Sequence, residues 1–133
     1  MQKLIIHLGA SSDHFGAFAE NCYGIYGAGN TVQEAKENVL EGLRLFVEQN
    51  KDNLPDILKD NYKIEYHFDI PSFLQYYSKI FTKPALGHIT GLNQKQLFHY
   101  VSGKRNPSKK TIEKIDSAFN RLADELSQVR LAI

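Results

Sequence analysis

The sequence predicts an α+β chain in two parts: a small sheet crossed by one helix, then an all-helical domain. Three observations carry this expectation. Tyr62, Ile64, Tyr66 and Phe68 alternate with Lys63, Glu65, His67 and Asp69, the period-two pattern of a strand with one buried face. Val32, Ala35, Val39, Leu43, Phe46 and Val47 recur at helical spacing, with Glu34, Lys36, Glu37, Glu41, Arg44 and Glu48 on the wet side. Beyond Asp69–Pro71 the apolar spacing turns helical and stays so, which puts a domain boundary between residues 69 and 70. The predicted domains are therefore 1–69 and 70–133.

Within the first domain, Lys3 to Leu8 is a short apolar run that reads as a strand, and Gly9 to Asp13 is a turn cluster. His14 to Glu20 alternates around Phe15, Ala17 and Ala19, a second strand able to pair with the first as a hairpin. Tyr23 to Ala28 is strand-like but carries two glycines, which points to a bulge or a close backbone approach. Thr31 and Glu34 form a capping box at the start of the helix, with Asn30 as a competing cap. Leu54 to Lys59 reads as a short helical turn before the alternating strand. The order is β-β-β-α-β.

The second domain opens with Phe73, Leu74, Tyr77 and Ile80 or Phe81 on one helical stripe, Pro71 lying near its start. Thr82 to Ser108 then reads as two short helices around a turn at Gly91. Pro84 falls in the first turn of the leading helix, and Asn93 is a good cap for the second. Leu97 and Tyr100 give that second helix a buried stripe, Gln94, Lys95 and His99 fall on its wet face, and Phe98 points outward. Ser102-Gly103 stops it. Ser108 caps a last helix, in which Ile112, Ile115, Phe119, Leu122, Leu126 and Val129 make a heptad-like seam. The first half of the seam suits a small helical core, and the rest is long enough to pair with a second chain.

Composition narrows the function. The chain has 133 residues, and no run approaches the ~20 apolar residues that cross a bilayer, so no membrane role is expected. The single cysteine, Cys22, fits a reducing cytoplasm and a packing role. Residues 1–70 carry six Lys/Arg against eleven Asp/Glu, a net of −5; residues 71–133 carry ten against four, a net of +6. Halves of opposite sign imply different partners, a polyanion for the basic one and a cationic protein for the acidic one.

The stretch Leu86-Gly87-His88-Ile89-Thr90-Gly91-Leu92-Asn93, with the tail Ser102-Gly103-Lys104-Arg105-Asn106-Pro107-Ser108, resembles a helix-turn-helix of the Cro/phage-repressor family. Gly87 stands where that family usually has Ala. In the first half, Phe15-Gly16-Ala17-Phe18-Ala19-Glu20 and Tyr23 through Ala35 are similar to the HicB antitoxin family, whose N-terminal domain is a partial ribonuclease-H-like fold of this element order. Asn30 stands where Asp is common there, and Tyr23-Gly24 where a Pro-Gly is usual. Together the two resemblances span nearly the whole chain in a family arrangement. They imply an antitoxin that masks a small basic HicA-type messenger-RNA-cleaving toxin and represses its own operon as a dimer or higher oligomer on a palindromic operator.

On this reading Gln94, Lys95 and His99 face base edges, Gln suiting adenine and Lys guanine, with Asn93 and Gln96 alongside. Lys104, Arg105, Lys109 and Lys110 hold phosphates. No cofactor and no metal is assigned: the five histidines form no ligand spacing, and Asp13, Glu20 and Asp69 near strand ends do not specify a metal site, which argues against a nuclease. The remaining alternative is a stand-alone regulator whose first domain binds a protein or small ligand.

Overall fold

The computed structural model describes residues 1–11 and 13–132, so the turn expected over Gly9–Asp13 includes one position, Ser12, outside the described residues. The chain is a mixed α+β protein with a four-stranded sheet and six helices among the described residues. It divides into two compact units, Met1–Asp69 and Ile70–Ile133.

In the first unit, β1 (Gln2–Ala10), β2 (Phe15–Ala19), β3 (Tyr26–Gly29) and β4 (Tyr62–Phe68) make one sheet in the order β3-β2-β1-β4. β1 pairs antiparallel with β2, the expected hairpin, and parallel with β4 through partners running from Gln2 and Tyr62 to Leu8 and Phe68. A parallel partner needs a crossover, and α1 (Val32–Gln49) with the short α2 (Asp56–Lys59) supplies it. Thr31 caps α1: its side chain accepts from the Glu34 amide at 3.0 Å, while the Glu34 carboxylate accepts from the Asn30 amide at 2.8 Å. Thr31 and not Asn30 is therefore the cap, Asn30 contributing only its backbone amide.

β3 begins at Tyr26 rather than Tyr23, because Gly24 takes a φ of 105° and turns the chain there. The glycines that follow serve close approach. A Cβ on Gly27 would strike the Val39 backbone, and one on Gly42 would lie 2.5 Å from the Tyr26 carbonyl oxygen, so α1 rests on β3 backbone to backbone. The core lies between α1 and one face of the sheet: Leu4, Ile6, Leu8, Ala17, Ala19 and Ile25 meet Ala35, Val39 and Leu43. Cys22 is buried in this core, where burial pushes its thiol up from the ordinary value.

The second unit contains α3 (Ile70–Tyr77), α4 (Lys83–Thr90), α5 (Gln94–Val101) and α6 (Lys109–Ser127). Leu74, Leu86, Leu97 and Tyr100 form its core, with Phe73, Phe81, Leu92 and Phe119 packed around them. Phe73 meets Phe119 edge to face, ring centroids 5.0 Å apart, a contact that joins α3 to α6. The expected seam of α6 divides. Ile115 and Phe119 pack inward, joined by the buried Ala118, whereas Ile112 and Leu126 are exposed and Val129 lies beyond the helix end. No helix among the described residues is long and apolar enough to cross a membrane.

Candidate nucleic-acid interface

α4 ends and α5 begins within four residues. Gly91 closes α4 with φ 73°, ψ 9°, a left-handed cap whose amide donates to the Gly87 carbonyl at 2.9 Å. Thr90 is buried and does two things: its hydroxyl donates to the Leu86 carbonyl at 2.7 Å and accepts from the Leu92 amide at 3.2 Å. Asn93 then caps α5 by accepting from the Gln96 amide at 2.7 Å. A Cβ on Gly87 would lie 3.2 Å from the Leu92 carbonyl oxygen, so this position faces the turn at close range and a methyl there requires a slight shift. The angle between α4 and α5 is set by these local bonds.

With that turn in place, the start of α5 presents side chains outward. Gln94 and Lys95 are exposed. Asn93 is exposed too, but its oxygen is engaged by the cap, which leaves its amide nitrogen as the free donor group. Gln96 is half-buried and donates to the Tyr100 hydroxyl at 2.9 Å, so it braces α5 from within. His99 is half-buried rather than fully on the wet face. Phe98 points outward, 52% exposed, with the Lys83 ammonium 5.2 Å from its ring centre.

Past α5, Gly103 takes φ 78° and the chain folds back, the Arg105 amide donating to the His99 carbonyl at 3.2 Å. That bond pins the basic loop beneath the end of α5. Burial first, and then the charges of Lys104, Arg105 and Lys95, hold the His99 imidazole below its ordinary value. An anion placed beside these cations would offset their share of that shift.

Lys109 is exposed at the first turn of α6, whose cap Ser108 accepts from the Thr111 amide at 3.2 Å. Sequence spacing overlooked two further cations. The Lys114 ammonium on α6 lies 3.7 Å from where a Gly91 side chain would start, and Lys83 reaches across to Phe98. Neither lies on α5, Lys83 standing at the start of α4 and Lys114 on α6, so the spacing within α5 does not mark them. The surface so assembled has amide and cationic groups at the start of a short helix, flanked by a pinned basic loop, and is suited to an extended polyanion. Among the described residues, no group of three or more His, Cys, Asp and Glu is arranged to hold a metal ion.

No protein-family model, curated protein sequence or solved structure matches the chain.

Proposed function

We propose that the chain is the antitoxin of a HicA/HicB-like toxin–antitoxin pair, its second unit a helix-turn-helix that binds a two-fold DNA operator as a homodimer or higher oligomer. The observation that carries the DNA-binding half is the tight Gly91 turn into a capped α5 with Gln94 and Lys95 exposed, and the Arg105 amide bonded to the His99 carbonyl, which holds the basic loop at the end of that helix. Gln94 and Lys95 read base edges, while Lys104, Arg105 and Lys109 hold phosphates. The first unit, on this reading a partial ribonuclease-H-like fold, neutralises a small basic messenger-RNA-cleaving toxin. Its net charge of −5 supports that role, because complementary potential speeds association with a cationic nuclease.

A growth assay tests the whole reading. The small reading frame adjacent to the gene is expressed alone and then with this chain. Arrest alone and rescue together is the expected result. Absence of arrest, or arrest without rescue, overturns the antitoxin half and leaves a DNA-binding regulator whose first unit binds something else. Operator binding is tested separately: Gln94→Ala relaxes sequence preference, whereas Lys104→Ala weakens all DNA alike and lowers the salt slope by about 1. Equal loss of preference from both would sink this division of roles.

A further inference from the structure

The core of the first unit occupies one face of the sheet; among the described residues, no element of that unit covers the other face. Strand alternation places Ile5 and His7 of β1, Phe18 of β2 and Tyr26 of β3 on this second face, opposite to the buried Leu4, Ile6 and Ala17. Phe18 and Tyr26 are register partners, 42% and 57% exposed. The His7 ring stacks at 5.1 Å on Phe18, and Tyr23 meets Tyr26 edge-on at 6.3 Å. An aromatic row thus crosses three strands in the open. Three carboxylates border it. Glu20 and Asp69 lie 3.1 and 3.6 Å from the two nitrogens of His7, and Glu65 meets Lys3 at 3.0 Å and His67 at 2.7 Å. The cations of this face, Lys3 and Lys63, are register partners at the strand starts, and Lys3 is paired with Glu65.

The outer surface of α1 differs. It carries more acids, but Arg44 pairs with Glu41 and Glu48, Glu34 is spent on the cap, and no aromatic side chain is exposed there. There an arginine already occupies two of the carboxylates, whereas on the sheet face two of the three are met by a histidine.

We propose that this open sheet face is the docking surface for a basic protein, one that presents arginines around a small apolar centre. Guanidinium is the group that matches both features: it stacks on aromatic rings and pairs with carboxylates through two parallel hydrogen bonds. Phe18 and Ile5 would take the apolar centre, Tyr26 and Tyr23 the stacked cation, and Glu20, Asp69 and Glu65 the bonded ones. Nucleic acid and anionic lipid are disfavoured by the same carboxylates. The inference rests on the proposed function only in taking the toxin to be that protein.

The test uses the full chain with two probes: the product of the adjacent reading frame, and an octa-arginine peptide. Tyr26→Arg and Phe18→Ser should each weaken the toxin at least about tenfold, as loss of a central aromatic contact does, with Glu37→Gln and Leu45→Ser on α1 without effect. Thermal melts by circular dichroism check folding, and Tyr26→Arg, at an exposed site, keeps the test open where Phe18→Ser unfolds the unit. Octa-arginine should shift the amide resonances of Ile5, Phe18 and Tyr26. Toxin binding that survives both sheet variants but fails in the α1 variants overturns the docking face and leaves the antitoxin reading intact. An adjacent product that does not bind, with octa-arginine still shifting the sheet face, overturns the antitoxin reading and keeps the face. Octa-arginine shifts on α1 or scattered over the chain overturn the face, as does concentration-dependent self-association that perturbs these amides.

Discussion

Gly27 and Gly42 let α1 lie directly on β3, and their cost of replacement follows from what a methyl would strike. At both positions the obstacle is backbone, which cannot rotate away. Gly27→Ala or Gly42→Ala should destabilise the first unit by about 1–3 kcal/mol, the usual range for overpacking. Gly16, with nothing within 4 Å of its added Cβ, is the control, and Gly16→Ala should be neutral or slightly stabilising in urea unfolding. The glycines around β3 are readable in sequence as a sign of close approach. Gly42 is not, because its contact lies across the helix–sheet interface. His99 supplies a second prediction at this scale. Its folded value is depressed, so between that value and the ordinary one the unfolded chain binds more protons, and stability falls as pH falls through this window. Phosphates among Lys95, Lys104 and Arg105 offset the part of the depression that these cations cause. DNA affinity should therefore rise as pH falls through the imidazole range, and His99→Gln should flatten that rise in titrations of binding against pH.

Elements with local signatures are the ones the sequence makes plain. The alternation of residues 62–68 is β4, and Thr31 with Glu34 marks the start of α1, because caps and pleats depend on neighbours three residues away or fewer. The turn between α4 and α5 is equally local, and Gly91 carries it. Gly91→Ala adds a side chain in the left-handed region at a cost of about 1–2 kcal/mol. The Lys114 side chain 3.7 Å away is in ordinary contact, so the loss is conformational and Gly91→Asn should recover part of it in thermal melts. What local pattern does not reveal is a side chain's allegiance. Gln96 looks like a base reader beside Gln94, yet its amide is bonded to Tyr100. Gln96→Ala should accordingly lower stability by about 1 kcal/mol, the net worth of one hydrogen bond, and change operator preference less than Gln94→Ala does. The α6 seam fails as a single stripe for a related reason: Ile115 and Phe119 pack inward, whereas Ile112 before them and Leu126 after them are exposed.

At the scale of the molecule, opposite charge is divided between two units, and the division coincides with the change from sheet to helices. Salt should weaken binding at both. For DNA, the affinity should fall linearly on a log–log plot between 50 and 200 mM salt, with a slope set by the phosphates that the second unit neutralises. Filter binding with the full chain and with Lys104→Ala and Arg105→Ala measures that slope. The charge division and the element order are legible in the sequence. The strand order is not, since no local feature of Lys3–Leu8 announces a parallel partner that lies 60 residues on, at Lys63–Phe68. That pairing also governs how the protein is made. At ~5–20 residues per second, β1 leaves the ribosome about 3–12 s before the strand that completes its pairing. During that interval Leu4, Ile5 and Ile6 form part of an unclosed edge, a template for stray strand pairing. Synthesis halted before Tyr62 would leave the edge permanently open, so truncated chains should be found in the insoluble fraction while the finished chain is not.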